Sequence, residues 1–219
     1  MSAGLNVKIN LTVTKYNEQD ALKICEFANS RNIPLNPMTY TLPPERTSGF
    51  TKDDTRLCAA DAARTYLKCV SAVTEKEKFK AKVGALSALK LPDEAEPIEN
   101  CVFPEGADKL KCQAARSSYW ITWDGKMLPC VNLSSITAYP LKSSLKEAFD
   151  EICAETDRRI RFPKECMNCP SRNACFACPG YFYSETGDER GFSKDLCKYT
   201  EHYIKFAKTL SEGKMIDEK

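Results

Sequence analysis

Four cysteines lie within residues 166–178, which read CMNCPSRNACFAC, and Cys112, Cys130 and Cys197 flank this stretch. Thiolates two residues apart can bind one metal centre from a single turn of chain, and soft sulfur ligands select zinc or iron–sulfur clusters over harder ions. Seven thiolates exceed the four ligands of one tetrahedral site. The spacing therefore indicates two metal centres, which would crosslink and stabilise a small domain with little core of its own.

The composition limits the class of protein. With 219 residues the chain fits one large or two small domains. It carries 32 Lys and Arg against 30 Asp and Glu, so no net field would attract nucleic acid or an anionic membrane. The N-terminus has no continuous apolar segment, and no later stretch approaches the ~20 apolar residues of a membrane span. We expect a cytoplasmic protein with neither nucleic acid nor a membrane as a partner.

The twelve cysteines allow readings other than an iron–sulfur protein. A secreted disulfide framework or a thiol-redox protein is one alternative, but the chain shows no signal peptide and is long enough to form a core without disulfides. The single histidine, His202, excludes zinc fingers that need two histidines and most histidine acid–base chemistry. A structural zinc module with four-thiolate sites remains open, because such sites use the same spacings.

The first half of the chain has the pattern of a βαβ unit. Residues 6–14 alternate apolar and polar side chains, which predicts a strand. A helical pattern follows from Asn17, the expected N-cap, to Ala28. A second extended run covers residues 33–42. Strand, helix and strand in this order predict parallel pairing.

A helix capped by Asp53 or Asp54 is expected to run from Leu57 to Val70. Three further cysteines, Cys25, Cys58 and Cys69, lie in apolar helical patterns without chelate spacing, and we expect them to be buried core thiols. Residues 74–111 are charged and proline-punctuated, with a helix around residues 80–89. This segment is typical of a connector and indicates a domain boundary near residue 100.

The second half begins with a hairpin signal at residues 118–131. Asp124 and Gly125 separate two apolar runs there, which predicts a turn with positive φ at both positions. Ser144 and Glu147 form a capping box that opens a helix. The cysteine-rich loop follows over residues 163–190, and a last helix is expected to begin at Ser193.

The order of the cysteines resembles the seven-cysteine SPASM motif. Twelve residues separate Cys112 from Gly125, and four separate Gly125 from Cys130. The remaining positions follow in the motif's order: Cys166, Cys169, Cys175, Cys178 and Cys197. This motif occurs in the C-terminal domain of many radical S-adenosylmethionine enzymes that mature peptides and proteins, where it usually holds two auxiliary [4Fe–4S] clusters. The resemblance covers residues 112–197, with one departure: two residues instead of the usual three separate the last two loop cysteines.

The resemblance implies two ligand sets, carried over position by position. The second cluster would bind Cys166, Cys169, Cys175 and Cys197. The first cluster would bind Cys112, Cys130 and Cys178. Its fourth ligand would be Cys101, or the cluster would have an open iron site, because residues 113–124 contain no cysteine. Zinc is the alternative metal for these thiolates.

The resemblance also implies the fold class: α+β, with a truncated βαβ remnant of a radical SAM partial (β/α) barrel followed by a SPASM-like domain. The predicted segments are 1–50 for the barrel remnant, 51–100 for a helical connector, 101–210 for the auxiliary iron–sulfur domain and 211–219 for a polar tail. The Cys-x3-Cys-x2-Cys spacing that binds the family's catalytic cluster does not occur in the sequence. We therefore expect a fragment, a split gene product or a decayed copy that does not bind or cleave S-adenosylmethionine alone.

The expected function is that of an auxiliary cluster module that serves electron transfer and substrate positioning. By resemblance its substrate would be a peptide or a protein side chain, and its partner a chain that supplies the missing half of the barrel. Whether the chain is itself an enzyme stays open, since no catalytic residue can be assigned. The zinc-binding structural or interaction module is the alternative function.

Overall fold

The computed structural model describes residues 4–43, 49, 51–94, 103 and 105–216, and these residues have a mixed α+β structure. The strands and α-helices of the described residues are, in chain order, β1 Ile9–Thr12, α1 Ala21–Ser30, β2 Leu35–Met38, α2 Lys52–Thr55, α3 Ala59–Val73, α4 Lys76–Ser87, β3 Trp120–Ile121, β4 Met127–Leu128, α5 Leu145–Arg159, α6 Lys164–Met167, α7 Pro179–Thr186 and α8 Lys194–Ser211. The α+β class is as predicted.

The chain divides into two compact units. Unit 1 contains Met1–Glu94, Asn173–Cys175 and Lys194–Lys219, and unit 2 contains Ala95–Arg172 and Phe176–Ser193. The four segments expected from the sequence remain predictions. Within the described residues, no helix is long and apolar enough to cross a membrane.

Unit 1 begins with the βαβ unit. β1 and β2 pair in parallel, with Ile9 opposite Leu35, which confirms the predicted orientation. Both strands are shorter than predicted, at four residues each. Asn17 does not cap α1 as expected: its side-chain oxygen accepts the Thr14 N–H at 2.7 Å, and a 3₁₀ turn precedes the helix.

The core of unit 1 is formed by helices. α3 and α4 pack against α8, and α1 packs against α3. The buried face of α8 includes Leu196, Tyr199, Tyr203 and Ala207. The Tyr199 hydroxyl lies 3.3 Å from the Thr39 hydroxyl, so these buried polar groups are hydrogen-bonded to each other.

The chain before α3 differs from the prediction. Asp54 does not begin one long helix; its carboxylate accepts the Thr51 N–H at 2.6 Å in a capping box for the single turn α2. The backbone is then extended at Arg56, and Cys58 caps α3 by accepting the Asp61 N–H at 3.4 Å. The expectation of a buried Cys58 was therefore wrong, because a cap lies at the exposed end of its helix.

Unit 2 contains the predicted hairpin. β3 and β4 are antiparallel, with Trp120 opposite Leu128. The turn differs from the prediction, because of its two central residues Gly125 alone has a positive φ, of 78°. The Thr122 N–H donates to the Lys126 carbonyl at 2.9 Å, and the Gly125 N–H donates to the Thr122 carbonyl at 3.0 Å. A wider loop with one left-handed glycine thus replaces the two-residue turn.

The core of unit 2 forms between the hairpin and α5. Ser144 is the N-cap of α5 as predicted, since its hydroxyl accepts the Glu147 N–H at 3.2 Å. The Glu147 carboxylate accepts from the Ser144 hydroxyl at 2.8 Å rather than from its main-chain N–H, so the capping box is only half formed. The buried cluster consists of Leu110, Ala114, Ala115, Met127, Leu133, Ile136, Ala138, Ala148, Ile152 and Ile160. At the end of α5 the Arg159 guanidinium donates to both carboxylate oxygens of Glu189, which fixes the loop after α7.

Candidate metal centre

Unit 2 contains the three cysteines predicted to hold the first centre. Cys112 opens the turn that precedes the hairpin, Cys130 follows β4, and Cys178 is the N-cap residue of α7. Cys112 is exposed, whereas Cys130 and Cys178 are half-buried. Cys130 also packs against the buried cluster of unit 2. Each thiol therefore lies at the end or the start of an ordered element, where main-chain groups are available to it.

Main-chain N–H groups point at the sulfurs of this set. The Ala114 N–H donates to the Cys112 Sγ at 3.4 Å, and the Asn132 N–H donates to the Cys130 Sγ at 3.3 Å. In both cases the donor lies two residues after the cysteine. Hydrogen bonds of this kind orient a ligand sulfur and tune the metal that it binds. These contacts therefore suit sulfurs that act as metal ligands.

The third thiol of the set is close enough to the other two to interact electrostatically. Burial raises the pKa of Cys178, and the N–H groups of Tyr181 and Gly180 at the start of α7 partly lower it. The negative charge of the Cys130 and Cys112 thiolates raises the pKa of Cys178 further. A bound cation would reverse this repulsion, because its charge favours every thiolate around it.

Gly180 explains how two of these segments come together. A Cβ built on Gly180 would lie 3.1 Å from the Asn132 Cβ and 3.5 Å from the Asn132 carbonyl oxygen. The start of α7 therefore packs directly against the turn that follows Cys130. A glycine suits this close approach, because an added Cβ would make the contact tighter than most. The contact brings the segment that carries Cys178 to the segment that carries Cys130.

The cysteines predicted to hold the second centre occur in both units. Unit 2 contains Cys166, buried in α6, and Cys169, which follows α6 and is half-buried. Unit 1 contains Cys175 and Cys197, and here α8 relates the two. The Thr200 hydroxyl lies 3.2 Å from the Cys175 Sγ, and Thr200 follows Cys197 by three residues on α8. Residues three apart share a helix face, so Cys175 lies at the face of α8 that carries Cys197.

The predicted sets do not form finished metal sites. Among the described residues, no three His, Cys, Asp or Glu side chains are grouped closely enough to hold a metal ion. Cys101, the predicted fourth ligand of the first centre, lies outside the described residues. All eleven described cysteines are thiols. The donor chemistry, soft sulfur with amide and hydroxyl donors beside it, fits zinc or an iron–sulfur cluster.

The cysteines outside the predicted sets have other surroundings. Cys25 and Cys69 are fully buried, as predicted, and their thiols are hydrogen-bonded to each other. Burial raises the pKa of Cys69 to about 12, with the nearby Cys25 adding to the effect. These two thiols stay protonated at neutral pH and serve as small apolar groups. The ring of His202 stacks on Phe206 at 5.9 Å between centroids, in keeping with a packed residue.

Sequence reasoning missed the groups that surround the thiols. Neither the amide donors of Ala114 and Asn132 nor the Thr200 hydroxyl follows from cysteine spacing. One signal was present at α7, where Pro179 and Gly180 come directly after Cys178. Proline is favoured at the first position of a helix, so this triplet could have identified Cys178 as a helix cap.

No protein-family model matches this chain, and neither a curated protein nor a solved structure matches it. The resemblance to the SPASM motif therefore rests on the order and spacing of seven cysteines and Gly125. The functional argument rests on those positions and on the contacts described above.

Proposed function

We propose that this chain is a SPASM-like module that holds two auxiliary [4Fe–4S] clusters as part of a radical S-adenosylmethionine enzyme that modifies peptides or proteins. The proposal depends above all on the main-chain hydrogen bonds to the sulfurs of Cys112 and Cys130. Each accepts an amide hydrogen two residues ahead, and both interact electrostatically with Cys178. Amide donors of this kind support the sulfurs of metal ligands, whereas cysteines that served only as packing would not need them.

The first centre would bind Cys112, Cys130 and Cys178, with Cys101 or an open iron position as the fourth site. Bound clusters supply one-electron transfer at potentials set by burial and by hydrogen bonds to the sulfurs. The amides of Ala114 and Asn132 are such hydrogen bonds, and the packing at Gly180 holds the ligand segments together. These residues would thus orient the sulfurs.

The second centre would bind Cys166, Cys169, Cys175 and Cys197. Cys175 lies against the face of α8 that carries Cys197, which supports their assignment to the same centre. The thiol of Cys166 is buried, so its ligand bond would be shielded from water. The βαβ unit of residues 6–42 would then be the remnant of the catalytic barrel, and the missing half would come from a partner chain. The protein would act in the cytoplasm on a peptide or protein substrate.

Anaerobic purification with metal analysis tests the proposal. We expect about eight irons per chain and a brown protein, since each cluster contains four irons. Replacing Cys169 with Ala should remove one cluster and leave about four irons. The matched control is Cys58→Ser, at an exposed cysteine outside both sets, which should keep the full iron content. A protein without iron would contradict the proposal, and stoichiometric zinc from iron-replete cells would establish the zinc module instead.

A second assay addresses the reaction. With dithionite and S-adenosylmethionine, the chain alone should give no 5′-deoxyadenosine above background, because the sequence has no Cys-x3-Cys-x2-Cys loop. Chromatographic detection of product would show that other residues bind the catalytic cluster. The auxiliary role would then be wrong, because the chain would be a complete enzyme.

A further inference from the structure

The strand β3 has one edge that the hairpin does not cover. Thr122, directly after β3, donates its N–H to the Lys126 carbonyl at 2.9 Å, on the side of β4. Ile121 lies opposite Met127, and Met127 directs both of its main-chain groups to Ala138, at 2.8 and 2.9 Å. Because bonded and non-bonded pairs alternate along an antiparallel ladder, the Ile121 N–H and carbonyl point away from β4. In the part of the chain that the structure describes, neither group has a hydrogen-bond partner.

This edge lacks the features that usually keep a strand from pairing with another chain. Natural edge strands are often protected by lysine or by proline. Residues 117–123, which read SSYWITW, contain neither proline nor any charged residue. Tyr119, Trp120, Ile121 and Trp123 are all exposed, and Trp123 has an exposed fraction of 88%. Large apolar side chains that are exposed together mark interaction surfaces.

The charges next to this edge are compensated within the protein. In the hairpin loop, the Lys126 ammonium lies 2.7 Å from the Asp124 carboxylate. Before the strand, the Arg116 guanidinium lies 2.5 Å from the Asp157 carboxylate. These pairs leave no excess charge of one sign beside the edge. Because the charges of two partners complement each other across an interface, the partner that fits this edge is uncharged.

We infer that the open edge of β3 binds an extended, uncharged peptide segment with apolar side chains, which pairs with Ile121 as an added strand. Main-chain hydrogen bonds supply the affinity in this mode of recognition, and Trp120 and Trp123 would cover the apolar side chains. A helix bonds its own main-chain groups, so it has none to offer Ile121. The identification of the segment as part of the peptide or protein substrate rests on the proposed function, whereas the binding of a peptide at this edge does not.

Tryptophan emission of the full chain tests the inference, because both tryptophans of the sequence lie at this edge. The probe is a short, capped peptide of alternating valine and threonine, which favours the extended conformation. The control peptide has the same side chains, with every main-chain nitrogen methylated, so it cannot pair as a strand. Two protein variants are compared. Ile121→Pro removes the N–H that faces the peptide but none that faces β4, and Ile121→Val keeps this N–H.

The valine–threonine peptide should shift the emission of wild type to shorter wavelength in a saturable manner, and the methylated peptide should not. Ile121→Pro should bind about fivefold more weakly, since one hydrogen bond is lost, and Ile121→Val should bind like wild type. If Ile121→Pro loses its melting transition in circular dichroism, the comparison of the two peptides on wild type still tests the edge.

Three results would overturn the inference. The first is an equal shift with both peptides or no shift with either, which includes a peptide that binds only at β1, where there is no tryptophan. The second is equal affinity of folded Ile121→Pro and wild type. The third is a dimer without peptide that Ile121→Pro abolishes, because a second copy would then occupy the edge. Iron-free protein that binds the peptide would support this inference and contradict the proposed function alone.

Discussion

Two glycine-to-alanine substitutions should have opposite effects on stability. Gly84 lies inside α4, and a Cβ added there meets no atom within 4 Å. Gly180 lies in the first turn of α7, where the added Cβ would be 3.1 Å from the Asn132 Cβ. Both residues are helical, so alanine lowers the conformational entropy of the unfolded chain in each case. Whether each substitution stabilises or destabilises the protein therefore depends on the atoms around the added Cβ.

The magnitudes follow from these distances. Gly84→Ala should stabilise unit 1 by about 0.5–1 kcal/mol, the usual gain from alanine inside a helix. Overpacking typically costs about 1–3 kcal/mol, and at Gly180 it outweighs the gain from alanine. We therefore expect Gly180→Ala to destabilise unit 2 by about 1 kcal/mol. For a chain of this size, 1 kcal/mol shifts the melting temperature by about 2–4 °C.

The Gly180 substitution should also weaken metal binding. Asn132, which must move, donates its N–H to the Cys130 Sγ, so the displacement should disturb a ligand of the first centre. Scanning calorimetry on both variants and iron analysis after chelator treatment measure the two effects. If Gly180→Ala has the melting temperature of wild type and retains all its iron, Asn132 can move without loss of stability. The packing at Gly180 would then not hold the first ligand set together.

Three further predictions follow. Ser144→Ala should lower the stability of unit 2 by about 0.5–2 kcal/mol through loss of the helix cap, measured by urea unfolding; an unchanged midpoint would contradict the capping role. The hydrogen bond from Lys52 lowers the pKa of Asp195, so its carboxylate stabilises unit 1 above the ordinary Asp pKa of about 3.9, and this contribution is lost as the pH falls through the lower folded-state pKa. Asp195→Asn should remove this loss of stability at low pH from the acid-unfolding profile, and an unaltered profile would contradict a stabilising role for the Asp195 carboxylate. Directly after β1 the Val13 N–H donates to the Met38 carbonyl of β2 at 2.8 Å, whereas the Thr12 N–H lies on the other edge and should exchange faster with deuterium; equal protection in a dilute monomer would contradict the edge assignment.

Local patterns predicted the elements better than their ends. Period-two alternation identified β1, an extended run identified β2, and the strand–helix–strand order gave their parallel pairing. The capping pattern at Ser144 gave the start of α5 correctly. The start of α3 was wrong because the apolar pattern continues through Leu57, although the backbone is extended at Arg56. Amphipathic spacing records which side chains are buried. It does not record where the backbone changes conformation, and Leu57 is buried without being helical.

Contacts between distant segments could not be predicted from the pattern. α8 packs against α3 and α4, and its Tyr199 hydroxyl is hydrogen-bonded to Thr39 near the N-terminus. Nothing in the spacing of apolar residues names the partner of a buried face, because many faces of similar width would fit. The contact between the Thr200 hydroxyl and the Cys175 sulfur is a second example, because the two residues belong to separate segments of the chain and no local pattern pairs them.

The turn after Cys112 shows most clearly why the surroundings of the predicted ligands could not be derived from the sequence. Ala115 has a φ of 50°, a left-handed conformation that costs a residue with a Cβ about 1 kcal/mol or more. The Ala115 N–H donates to the Ser118 carbonyl at 3.0 Å, and the residue is buried, so its neighbours maintain the strained backbone. This turn also carries the Ala114 N–H that points at the Cys112 Sγ. An alanine at this position argues locally against a left-handed turn, so no sequence rule would predict one. The strained backbone at Ala115 and the amide that faces the Cys112 Sγ thus belong to one turn, whose conformation the spacing of the cysteines does not encode.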